Sequence, residues 1–171
     1  VGERGIPLVD IGDPIGAAGY LMEFQALLEL VAFDRQRVRA LLDWAEEASF
    51  DHMEGVYGLG PGDVHQLTTT ADWLIYAMES ISRFLDHPLL DNVRTLRQRV
   101  RLGIKEDALE VASIPGIGRV RARIFIEAGY RTLDDIARTG PEPLSNLQGI
   151  GTTLAKRAWE FASLALSRRS E

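Results

Sequence analysis

The sequence predicts an all-α protein made of two helical units, and three observations carry that reading. Apolar residues recur at helical period along most of the 171 residues, and no alternating β pattern occurs anywhere. A glycine hairpin also occurs twice near the C-terminus, as Ile114-Pro-Gly-Ile-Gly118-Arg-Val-Arg-Ala122 and as Leu147-Gln-Gly-Ile-Gly151-Thr-Thr-Leu-Ala155. The order read from the chain is an irregular lead segment over 1–19, a helical bundle over 20–104 and a small tandem helix-hairpin-helix domain over 105–171.

The lead segment carries Gly2, Gly5, Pro7, Gly12, Pro14, Gly16 and Gly19, too many breakers for regular structure. From Tyr20 the period becomes helical, with a first helix over 20–33. Glu23 and Glu29 interrupt its apolar run at helical spacing, which suits an amphipathic helix rather than a membrane span. No signal peptide is read before it. Asp34 is the expected N-cap of a second helix that carries Val38, Leu41, Leu42 and Ala45 inward, with Trp44 at its edge. Ser49 caps a short helix ending near Tyr57. Gly58-Leu-Gly-Pro-Gly62 then breaks the chain before Asp63, the expected N-cap of a long helix over 63–85. Pro88 closes the next connection, and a basic helical stretch over 94–105 leads to a seam at Gly103. Beyond it, helices are expected over 107–113, 119–128, 133–138 and 152–166, with Thr132 capping the third.

In each hairpin copy Gly-Ile-Gly lies between apolar helical stretches, so the chain can turn through conformations that residues with a Cβ seldom adopt. The helix that follows presents unpaired N–H groups and a partial positive charge, and glycine lets a phosphate oxygen approach them. Ile117 and Ile150 plug the turns into the core, while Ala122 and Ala155 allow close helix crossing. A bundle whose two tight turns merely look alike is the plain alternative, and the matched Ile and Ala offsets weigh against it. The candidate backbone contacts are Gly116, Gly118, Gly149, Gly151 and Thr152, flanked by Arg119, Arg121, Arg123, Lys156 and Arg157. Arg119 and Arg123 share a helix face and Arg121 does not, so the three cannot all meet one phosphate.

Net charge is −6, but it is unevenly spread. Residues 1–90 hold 15 acidic and 5 basic side chains, whereas residues 91–171 hold 10 and 14. A basic module beside an acidic one is the footprint expected where one face meets phosphates, although solvated helix faces would give the same counts. The absence of cysteine excludes disulfides and thiolate metal sites and fits a reducing, cytoplasmic setting. His52, His65 and His87 show no metal-ligand spacing, so no metal is expected.

The strings Leu42-Asp-Trp-Ala-Glu-Glu-Ala48, Tyr57-Gly-Leu-Gly-Pro-Gly-Asp63, Ala71-Asp-Trp-Leu74, Gly103-Ile-Lys-Glu106 and Gly116-Ile-Gly-Arg-Val-Arg-Ala-Arg123 together resemble the C-terminal region of archaeal HelQ-type superfamily 2 DNA-repair helicases. The resemblance covers roughly 34–166. It implies that the bundle follows two motor domains and a winged helix, and that the 63–85 helix lies along a single strand as a ratchet. The family's base-stacking tryptophan corresponds to Trp73, although an aromatic at helical spacing, taken alone, reads as core. Thr69 and Gln66 precede it on the same helix. Gln66 stands where the family usually presents an arginine, which implies weaker grip there or a contact moved toward Arg94, Arg97 and Arg101. The implied hairpin contacts are those already named.

No Gly-x-x-x-x-Gly-Lys-Ser/Thr loop is present in the sequence, so ATP and magnesium are expected only in motor domains outside this chain. Glu46, Glu47, Asp134 and Asp135 are explained by helix ends and solvation, and no catalytic residue is assigned. The leading expectation is a monomeric piece of a 3′–5′ DNA helicase. Its expected partners are single-stranded or forked DNA and the parent's motor domains, with no membrane, in a cytoplasmic or, if archaeal, nucleoid-associated setting. An accessory region of an RNA-remodelling helicase and a helical protein-interaction scaffold are the other two readings.

Overall fold

The computed structural model describes residues 35–169; the lead segment, the 20–33 helix and the Asp34 cap lie outside them. Every regular element among the described residues is helical, so the protein is all-α. Two compact units meet in the chain at Gly103 and Ile104.

In the first unit α1 spans Arg35–Ala45, α2 Phe50–Tyr57, α3 Pro61–Phe84 and α4 Leu90–Leu102. Helix α1 buries Ala40, Trp44 and Ala45, with Leu41 packed beside them. This corrects two expectations. Trp44 is core rather than edge, and its indole N–H donates to the Val100 carbonyl of α4 at 3.0 Å. Leu42 is 55% exposed, because a stripe running through positions 40, 41, 44 and 45 turns position 42 away. Gly103 ends α4 at φ 65°, and a Cβ there would lie 2.6 Å from Cζ2 of Trp44. Only glycine allows both the left-handed turn and the indole beneath it.

Ser49 caps α2 by accepting from the His52 N–H at 3.1 Å, and Gly58 ends it in the left-handed conformation. Asp63 does not cap α3. The helix starts two residues earlier, with Gly60 as N-cap and Pro61 in the first turn, where a missing N–H leaves no bond unmade. Asp63 sits at the third helical position, within the first turn, and accepts from the Gly60 N–H at 3.0 Å. Helix α4 begins at Leu90 rather than 94 and stops at Leu102, burying Val93 and Val100 against Ala71, Ile75 and Met78 of α3.

In the second unit a 3₁₀ turn at Glu106–Ala108 precedes α5 (Leu109–Ala112), so the single helix expected over 107–113 is broken. Helices α6 (Arg119–Glu127) and α7 (Leu133–Thr139) follow. Thr132 caps α7 as expected, and Asp135 completes a capping box by accepting from the Arg131 and Thr132 N–H groups, both at 2.9 Å. Helix α8 (Pro141–Ser145) was not foreseen, and α9 runs Thr152–Arg169. Phe125, Ile114, Ile136, Leu144, Ala158 and Ala162 form the core of this unit.

Candidate nucleic-acid interface

Helix α3, 24 residues long, sorts its side chains onto opposite faces. Val64, Thr68, Ala71, Ile75, Met78, Glu79 and Ser82 are buried at alternating steps of three and four with one break. Gln66, Thr69, Trp73 and Tyr76 follow the same rhythm about half a turn away and are exposed, Trp73 at 53% and Tyr76 at 50%. The packing role that an isolated tryptophan suggests is therefore not the one Trp73 has.

The three-threonine run spends its protons on its own helix. Thr68, Thr69 and Thr70 each donate to the carbonyl four residues earlier, at 2.9, 2.8 and 3.0 Å. Thr69 thus faces outward as an acceptor, whereas Gln66 keeps an exposed amide.

Beneath this stripe lies an ion-pair cluster centred on Glu79, which is 7% exposed. Arg97 donates to Glu79 at 3.1 Å and through Nε and Nη2 to both Asp72 oxygens at 2.9 and 3.3 Å. Arg83 and Arg94 also reach Glu79. Burial pushes the Glu79 carboxyl up, but the hydrogen bonds from Arg97 and Arg94 and the charge of Arg83 more than offset it, leaving the group below its ordinary value. Arg97 therefore answers two carboxylates of α3, and Arg94 is likewise paired to Asp91 at 3.1 Å. Arg101 is exposed.

The two hairpins of the second unit repeat in structure as well as in sequence. Gly116 and Gly149 both have positive φ, 87° and 80°. The Ile117 N–H donates to Ile114 and the Ile150 N–H to Leu147, each at 3.0 Å; the Ala122 and Ala155 N–H groups donate to Gly118 and Gly151, each at 2.9 Å. Ile117, Ile150, Ala122 and Ala155 are all buried, as the repeat requires. Gly118, Gly151 and Thr152 stand exposed where α6 and α9 begin, so each turn delivers first-turn N–H groups to the surface.

The flanking cations divide. Arg123 makes a two-pronged pair with Asp107, both contacts 2.9 Å, joining α6 to the 3₁₀ turn and holding the Asp107 carboxyl low. Arg121 donates to the Gly116 carbonyl at 2.9 Å, and Arg157 reaches from α9 to the Pro115 carbonyl at 3.4 Å. Arg119 is half-buried and engaged. Lys156 is well exposed, with Glu160 3.9 Å away. Position in the sequence could not separate those that brace the hairpins from the outward ones, because the bracing acceptors are the carbonyls of Pro115 and Gly116 and the Asp107 carboxylate, which folding brings within reach.

Comparison with known proteins accounts for both units. Residues 25–103 match the family model for the archaeal helicase, domain 4, and residues 108–162 match that for a SAM-like helix-hairpin-helix tandem. Curated relatives described as ATP-dependent DNA helicase Hel308 are 37% identical over 127 residues in Thermoplasma acidophilum, 38% over 119 in Caldivirga maquilingensis and 36% over 120 in Aeropyrum pernix. Alignments of that length run through both units. The chain belongs to the archaeal HelQ-type helicase family, which these relatives represent under the name Hel308. The matches cover 72, 68 and 69% of this chain but only 19, 16 and 16% of the relatives, so the chain spans less than a fifth of the length of these relatives. Among the described residues no helix is long and apolar enough to cross a membrane.

Sequence reasoning missed Tyr76. Its signal was available, since it lies three residues after Trp73 and keeps to the outward stripe, but a tyrosine amid Leu74, Ile75 and Ala77 reads as core until the helix phase is known.

Proposed function

We propose that this region grips single-stranded DNA without regard to sequence, as the accessory region of an ATP-dependent 3′–5′ DNA helicase that works at replication forks in repair and recombination. In this reading the bundle through residue 104 tracks the strand, the hairpin domain from residue 105 holds its backbone, and ATP and magnesium serve motor domains of the same parent protein. The region acts as a monomer in the cytoplasm, beside forked or single-stranded DNA.

The observation that carries this reading is the outward Trp73. An indole exposed by 53% on a helix whose opposite face supplies the core gains little from folding, whereas a ring offered to solvent is what a sequence-blind strand contact uses. The two matched hairpins support it, because their surface N–H groups suit phosphates of any sequence. Trp73→Ala is expected to weaken binding to labelled single-stranded DNA by about 1–3 kcal/mol, the range for loss of one base stack. Unchanged affinity would remove Trp73 from the interface, and stronger binding to matched RNA would favour an RNA-remodelling helicase.

A further inference from the structure

We propose that Tyr76 is a second base-stacking platform one turn beyond Trp73, and that Arg97 is its positioning residue rather than a phosphate contact. The inference rests on the single-strand reading above and deepens it.

The Tyr76 ring is 50% exposed, and the Arg97 guanidinium carbon lies 4.6 Å from its centroid. That arrangement places a cation over the ring while half of the residue stays exposed to solvent. A guanidinium over an aromatic face is attractive and planar, so it fixes the ring without hiding it. Arg97 is itself pinned by Asp72 and Glu79, four residues before and three after Tyr76 on the same helix. The cluster thus clamps the ring from below, and its carboxylates answer the charge that a phosphate would otherwise attract. Packing does not account for Tyr76, which stands off the buried stripe of α3.

The spacing suits neighbouring nucleotides. Three residues of α-helix rise about 4.5 Å, comparable to the ~3.4 Å between successive nucleotides of one strand in a stacked helix. Two adjacent bases could therefore meet Trp73 and Tyr76 in turn.

The test is anisotropy titration of the full chain with fluorescein-labelled oligothymidylate across a salt series. Tyr76→Ala and Tyr76→Leu are expected to weaken binding at least about fivefold, and Tyr76→Phe to bind like the parent, because the ring and not the hydroxyl carries the contact. All three should keep the parent slope of affinity against salt, since no phosphate contact is lost. Arg97→Lys retains charge but not the planar fork; it should lower affinity with that slope unchanged. Normal binding by Tyr76→Ala and Tyr76→Leu beside weakened Trp73→Ala would overturn the second platform and leave the single-strand reading standing. A salt slope reduced by about one in Arg97→Gln, which removes the charge, would make Arg97 a phosphate contact and overturn its positioning role. Absence of binding by the parent chain at low salt would overturn both readings.

Discussion

Gly116 and Gly118 stand two residues apart in one hairpin yet are glycine for different reasons. Gly116 has φ 87°, and a Cβ there would lie 2.9 Å from Nη2 of Arg157. Gly116→Ala should cost about 1–3 kcal/mol of stability through backbone strain, measured by urea unfolding. Gly118 has ordinary extended backbone, and a Cβ would meet nothing within 4 Å. Gly118→Ala is therefore expected to fold normally and lose affinity, because the added methyl stands where a phosphate would approach the turn. Equal affinity in a stable Gly118→Ala would show that the first hairpin does not cradle a phosphate. At this scale the glycine pattern was legible from the repeat, but the division between strain and access was not, since it depends on the backbone angles each glycine takes in the folded turn.

Helix ends show where local reading succeeds. Ser49 and Thr132 cap through bonds to residues three positions on, which lie within the sequence window that suggested them. Thr132→Ala should cost about 1 kcal/mol, read as a lower unfolding midpoint. Asp63 misled because Pro61 takes the first turn and leaves the acidic side chain inside the helix. Trp44 and Leu42 were exchanged because the burial phase of α1 is set by α4, through Val100 and Gly103, more than fifty residues away. Helix α8 is only five residues long and carries Pro141 and Pro143, so it has no apolar period to read, although proline is well tolerated in a helix's first turn. The α3–α4 clasp gives a pH prediction of definite sign. Glu79 has its native carboxyl lowered from 4.5, so its contribution is complete above that value and is lost as pH falls through the depressed native one. Thermal unfolding should show this acid-side loss, and Glu79→Gln should be less stable at neutral pH and flatter below 4.5.

For the whole molecule, a helical chain with an acidic first part and a basic second part could be read at once, and so could its likeness to a helicase C-terminal region. The candidate site was only partly legible. Trp73 and the hairpin glycines came from motif and repeat, whereas the diversion of Arg97 and Arg123 into ion pairs, and the exposure of Tyr76, depend on partners brought together by folding. Net charge alone, at −6, would have argued against a nucleic-acid partner, and only its distribution speaks for one.

The most direct test of the central claim is anisotropy binding of the chain to single-stranded DNA, matched RNA and duplex across a salt series, with Trp73→Ala measured alongside. Micromolar or tighter, steeply salt-dependent binding that prefers single-stranded DNA and weakens on loss of Trp73 is the result expected. Salt-insensitive behaviour with no binding to any of the three at low salt would contradict the account and favour a protein-docking scaffold.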